Sequence, residues 1–153
     1  MVLDTPVSDE LTAVNAWSSS YLDKALHGPQ LAWKGDSSNN SGFFHSNQEN
    51  NPWLRIQLNK PTTVTSVTII NRKDCCGERL KNLELRGGMK NDLTNPVIGE
   101  FKGPGKTKGV HHITLKKPTK ILYLTFQLKM NAAILQVNGI RLNTKEGENS
   151  VNI

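Results

Sequence analysis

Trp53-Leu54-Arg55-Ile56-Gln57-Leu58 and, beyond Asn59-Lys60-Pro61, Thr63-Val64-Thr65-Ser66-Val67-Thr68-Ile69-Ile70-Asn71 decide the fold class of this chain. Both runs are rich in Val, Ile, Leu and Thr, and both are bounded by turn residues, which is the signature of short strands. Outward from them the pattern repeats at residues 80–86, 97–101, 111–115, 121–128 and 134–142. Asn59-Lys60-Pro61, Gly87-Gly88, Gly103-Pro104-Gly105 and Lys117-Pro118 punctuate the series. Helical periodicity is hard to find. Seven such runs, with at least one more strand near the N-terminus, predict an all-β fold of two antiparallel sheets packed face to face. Residues 18–20, 36–42 and 47–52 are polar and turn-forming, and are expected as long loops gathered at one end of the sandwich.

The chain has 153 residues, enough for one domain with a real core. The expected boundaries are a single domain at 1–143 and a frayed tail at 144–153. No apolar run is long enough to cross a bilayer, so membrane insertion is not expected. The first residues carry neither a basic segment nor an apolar stretch, so no signal peptide is visible. The formal net charge of +6 raises the possibility of an anionic partner. The basic residues are scattered among turns, however, with no basic helix, zinc-finger spacing or aromatic-basic motif, and nucleic acid is not expected as a partner. Serine-histidine-aspartate spacing, paired glycosidase carboxylates and a phosphate loop do not stand out, so nothing argues for an enzyme.

The chemistry concentrates in Asn71-Arg72-Lys73-Asp74-Cys75-Cys76-Gly77-Glu78-Arg79, where a strand runs into a turn. Arginine offers five donors in a fixed fork and keeps its charge, which suits oxygen acceptors held in one geometry. Two arginines aimed at one point repel unless a carboxylate lies near, and Asp74 is placed to hold one or both. Cys75 and Cys76 are the only cysteines and are adjacent, so within a monomer they cannot staple distant parts of the chain. They could be thiols, or bridge in a tight eight-membered ring whose Cα separation falls below the usual range. Such a ring at the surface would be a small, rigid, polarisable plate. The histidine spacings fit no zinc signature. His27, His111 and His112 are expected in structural or solvent roles.

His45, twenty-six intervening residues, Arg72-Lys73-Asp74, four more residues and Arg79 together resemble the signature of the F-type lectins, or fucolectins. At roughly 5% usage for each residue, a chance match of these four positions is on the order of one in a few thousand. The resemblance extends to residues 51–58, which are similar to a Pro-Trp-bearing strand of these lectins and of the wider discoidin-like domains. It covers about residues 14–142 and is densest from Phe43 to Arg79. It implies a jelly-roll sandwich that binds terminal α-L-fucose without catalysis. His45, Arg72 and Arg79 would bond the ring oxygen and the 3- and 4-hydroxyls, and Asp74 would orient the arginines. A Cys75–Cys76 disulfide would pack against the sugar. Phe43 or Phe44, with Tyr21 or Leu22, would receive the fucose methyl group. Fucosylated glycans of blood-group or Lewis type are the implied partners, with avidity from a homo-oligomer and an extracellular setting, since a disulfide needs oxidising conditions.

One part of the resemblance fails. The family holds a structural calcium near the histidine, using an aspartate in a preceding loop and a glutamate near the last strand. In this chain Lys34, followed by Asp36, stands where the aspartate is expected, and Gln136 stands where the glutamate is expected. Calcium requires several oxygen ligands with negative charge. The expectation is therefore a degenerate site, with calcium absent or weak and no cofactor required. Two other readings compete. One is a discoidin-like adhesion module for protein or anionic lipid. The other is a fucose-binding module excised from a larger glycosidase or toxin.

Overall fold

The computed structural model describes residues 10–34, 42–145 and 150–153. Its elements in chain order are β1 (Ala13–Ser18), the one-turn helices α1 (Lys24–His27) and α2 (Leu31–Lys34), β2 (Phe44–His45), β3 (Trp53–Ile70), β4 (Leu83–Gly88), β5 (Val97–Phe101), β6 (Val110–Leu128), β7 (Gln136–Val137), β8 (Gly139–Thr144) and β9 (Ser150–Asn152). All pairings are antiparallel. The expected all-β sandwich is present, but its strands are joined differently from the sequence pattern.

The turns expected at Asn59-Lys60-Pro61 and Lys117-Pro118 are bends inside two long strands. β3 and β6 pair in three stretches, the ladder slipping between Gln57 and Thr62 and again between Val64 and Ser66. A proline lacks the N–H that a ladder needs, so pairing yields at these positions while the strand direction continues. Before its bend β3 pairs with β1; after it, with β8. The two long strands thereby contribute to both halves of the core. Alternate residues Leu54, Ile56 and Leu58 of one half, and Val64, Val67 and Ile69 of the other, are buried in a single core with Leu85, Ile113, Phe126 and Leu142.

Three smaller corrections follow from packing. Residues 134–142 are not one strand: β7 pairs with β2, and after Asn138 the chain joins the large sheet as β8. The expected frayed tail at 144–153 instead returns as β9, whose Ser150, Val151 and Asn152 pair with Asn143, Leu142 and Arg141. Ile153 is buried in the core, and that apolar anchor gives the segment a reason to pair. The N-terminal loops contain two helical turns too short to show a period. The first is capped by Asp23, whose carboxylate accepts from the backbone N–H of Ala25 and Leu26.

Candidate functional site

The site forms where β3 ends beside the small β2–β7 ladder. Asn71, the residue after β3, is buried and shapes everything that follows. Its Nδ2 donates to the carbonyls of Gly77 (2.9 Å) and Lys106 (3.1 Å), and its Oδ1 accepts from the Arg72 N–H (2.8 Å). The 71–79 loop is thus pinned to the 105–109 loop. Lys108 N–H donates to the Arg72 carbonyl, and Gly77 N–H donates to Thr107 Oγ1. His111 supports the same loop from behind, its Nε2 accepting from Lys106 N–H at 3.1 Å. Gly77 sits so close to this loop that a Cβ would lie 2.1 Å from Thr107 N. Cys76 before it takes a left-handed conformation (φ 66°), which turns the chain into the 3₁₀ turn Gly77–Arg79.

Cys75 and Cys76 are joined by a vicinal disulfide. Both are partly exposed, as a contact plate requires. Asp74 holds Arg72 alone: Arg72 Nε donates to Oδ1 at 2.6 Å and Nη2 to Oδ2 at 3.4 Å. That pairing, through hydrogen bonding first and charge second, keeps the Asp74 carboxyl below its usual 3.8. The Arg72 guanidinium also lies 4.9 Å over the Phe43 ring.

His45 is buried, and its ladder partner is Gln136. His45 Nδ1 lies 2.7 Å from the Ser46 carbonyl. A carbonyl can only accept, so Nδ1 carries the proton and Nε2 of the neutral ring is an acceptor. Burial is the largest cause holding the His45 pKa below 6.5; His27, Arg72 and Arg79 lower it further, against the opposing bond to Ser46. The ring is therefore neutral at neutral pH.

Three nitrogens converge on one point. With the Gln136 amide oriented so that its oxygen faces these neighbours, that oxygen lies 2.8 Å from Arg72 Nη1, 2.9 Å from Arg79 Nη1 and 3.0 Å from His45 Nε2. The pattern describes the oxygen that fits best. It accepts from two guanidiniums and donates its own proton to a neutral imidazole. A hydroxyl does all three; a carbonyl or carboxylate oxygen has no proton to give.

The structure brings His45, Arg72 and Arg79 together around the Gln136 amide, holds Asp74 on Arg72, and carries the Cys75–Cys76 pair in the same 71–79 loop; it places the other candidates variously. Phe43 flanks the site. Phe44 does not: it alternates to the opposite side of β2 and is fully buried in the core. Tyr21 and Leu22 are exposed, and Leu22 is tied to the site through its backbone N–H, which donates to the His45 carbonyl at 3.2 Å. Gln136, expected in a degenerate calcium loop, lies instead at the centre of the triad. Asp36 and the loop around it lie outside the described residues, as does the Lys34 side chain. Among the described residues no group of three or more His, Cys, Asp or Glu could hold a metal ion.

His27, expected in a structural or solvent role, ends α1 and packs against the site. Its ring stands edge-on to Phe43 (5.2 Å between centroids) and to His45 (5.4 Å). Its Nδ1 is buried without a hydrogen-bond partner. No motif spacing marks it; only the fold of α1 onto β2 does. Beyond Arg79 a groove of about 340 Å³ continues between Gln48, Glu78, Lys81 and Met130.

Comparison with known proteins gives the family. The family model for the F5/8 type C domain matches residues 11–140. The chain is similar to a fucolectin of Anguilla anguilla, 41% identical over 87 residues, a match covering 50% of this chain and 54% of the relative. It is also similar to Fucolectin-1 of Anguilla japonica, 37% identical over 109 residues and covering 61% of this chain and 60% of that one. The chain thus spans about half the length of the curated relatives it matches. Among solved structures, an F-lectin (fucolectin) from the serum of Morone saxatilis superposes with a TM-score of 0.75 at 27% identity, over 85% of this chain and 46% of that one.

Proposed function

Because the chain belongs to the F5/8 type C domain family, a discoidin-like fold, we propose that it is a non-catalytic lectin module for terminal α-L-fucose. The observation that carries this reading is the convergence of His45 Nε2, Arg72 Nη1 and Arg79 Nη1 on one point that a hydroxyl fits, with both arginines on the loop that carries the Cys75–Cys76 disulfide. A pyranose offers such a hydroxyl together with apolar C–H surface. In this arrangement the hydroxyl accepts from both arginines and donates to His45. Asp74 holds the Arg72 fork in place, the disulfide takes the sugar's apolar face, and Phe43 with the edge of His27 offers a wall for the methyl group. Matches to two fucolectins and a serum F-lectin support fucose as the sugar.

Residues linked to the fucose extend along the groove beyond Arg79, so glycans of blood-group or Lewis type are the natural ligands. The setting is extracellular, where the Cys75–Cys76 bond persists, and clustering of sites in an oligomer supplies avidity. Calcium is not required for binding. The Gln136 oxygen faces two guanidiniums, and a divalent cation beside it would meet their charge.

The test is binding to immobilised fucosylated glycans, with free L-fucose as competitor and with or without chelator. Arg79→Ala removes one charged donor and is expected to weaken binding about 10- to 100-fold, while chelator leaves binding unchanged. Full binding by Arg79→Ala would sink the reading. Binding to anionic vesicles that salt abolishes and fucose ignores would establish the adhesion-module alternative instead.

A further inference from the structure

Gln136 is buried, with 3% of its surface exposed, yet in the amide orientation that its two arginine neighbours favour, its oxygen sits within 3.0 Å of all three nitrogens that the sugar reading assigns to the ligand. A histidine Nε2 has a single direction in which to accept or donate, and the Gln136 oxygen already occupies it. Position 136 is set by the register of β7 on β2, which pairs it with His45 and sends both side chains to the same face. The amide is therefore held at the convergence point by the fold.

It is also an imperfect occupant. The oxygen accepts from Arg72 and Arg79, and from His45 only when the ring carries protons on both nitrogens. With Nδ1–H committed to Ser46 and the ring neutral, Nε2 turns a lone pair toward the Gln136 oxygen. A hydroxyl in the same place makes three good bonds where the amide makes two.

We propose that Gln136 is the affinity-setting residue of this site: its carboxamide occupies the triad in the free protein, and a sugar hydroxyl binds by displacing it. This rests on the sugar-binding reading. Displacement costs the two guanidinium bonds to the amide, and the hydroxyl regains them and adds the bond to His45. The Gln136 side chain thus tunes affinity without being a lasting sugar contact. A residue that braced the triad from behind would act in the opposite direction.

The test compares wild type, Gln136→Ala and Gln136→Glu for L-fucose affinity by calorimetry at neutral pH in chelated buffer, with melting curves to confirm that each is folded. Ala lets replaceable water into the triad and should tighten binding by about two- to tenfold, the worth of one net hydrogen bond. Glu holds both arginines by charge and should weaken binding by at least that factor. The expected affinity order is Ala, then Gln, then Glu. The reverse order would make Gln136 a brace and overturn the proposal. A sugar-free measurement separates this from failure of the fucose reading. In wild type the ¹⁵N signal of His45 Nε2 should move by several ppm on Gln136→Ala, because the facing oxygen is gone. If no variant binds fucose but the signal moves, the sugar assignment falls and the occupancy stands. An unmoved signal overturns the occupancy itself.

Discussion

Acidification should weaken sugar binding, and the reason lies in one proton. His45 Nδ1–H is committed to the Ser46 carbonyl, so the only nitrogen facing the ligand is Nε2, an acceptor while the ring is neutral. Protonation turns Nε2 into a donor and adds a positive charge beside Arg72 and Arg79. The hydroxyl then faces three donors with no acceptor for its own proton, while the Gln136 oxygen becomes fully satisfied. Proton and sugar therefore compete. Burial, with the neighbouring cations, holds the His45 pKa below 6.5, so affinity should be flat at neutral pH and fall only on the acid side of that value. Below the ring's own pKa the dissociation constant should rise by a factor approaching ~10 per pH unit, or about 1.4 kcal/mol.

Two other groups near the site need to be separated from this effect. Asp74 is held below 3.8 by Arg72 and stays ionised through the relevant range. His27 touches the His45 ring, so the series should be repeated in His27→Phe, which keeps an aromatic edge there. The assay is calorimetric titration with L-fucose from about pH 8 down to about pH 4.5, beside an NMR titration of the His45 ring. Reciprocity requires sugar saturation to lower the His45 pKa by the amount that acid weakens binding. Affinity that rose on acidification would show that Nε2 donates to the sugar, and would refute the tautomer argument.

Two further perturbations separate the loop's scaffold from its contact surface. Gly77→Ala places a Cβ 2.1 Å from backbone that cannot yield cheaply, so it should destabilise the fold by about 3 kcal/mol, read as a fall in the urea midpoint. A stability change below about 1 kcal/mol would show that the two loops are not locked together. Reducing Cys75–Cys76, or replacing both by serine, should leave the melting temperature nearly unchanged, because the bond closes no chain loop. It should weaken fucose binding about fivefold if the plate covers about 40 Å² of sugar, or ~1 kcal/mol. A large drop in melting temperature would instead assign the bond to the fold.

What the sequence revealed and what it hid divide along contact range. Alternation in 53–58 and 63–71 exposed the strands because each signal is local. The same locality misread Pro61 and Pro118 as ends, since continuity through a bend depends on a partner strand that bends in step with it. Arg72, Asp74, Cys75, Cys76 and Arg79 were legible because they share one loop, and His45 because it stands at a fixed spacing from them. Phe44, expected as an alternative to Phe43, proves to be core, because the face of a two-residue strand shows only once its partner is known. His27 and Gln136 reach the site through α1 and the β2–β7 register, and neither carries a local mark.

Gln136 shows why a substitution should be judged by its neighbours in space. In sequence it is a glutamate position that has lost its charge, which reads as decay of a metal site. In the fold its oxygen faces two guanidiniums and an imidazole, where a carboxylate would clamp both arginines and hold them against a neutral ligand. An amide has the same reach and a weaker grip. The loss of charge that disfavours calcium is thus the same change that leaves the triad open to a hydroxyl. With two guanidiniums already facing position 136, the charge of a glutamate would be taken up by them, and glutamine leaves their donors free to be taken by a neutral ligand.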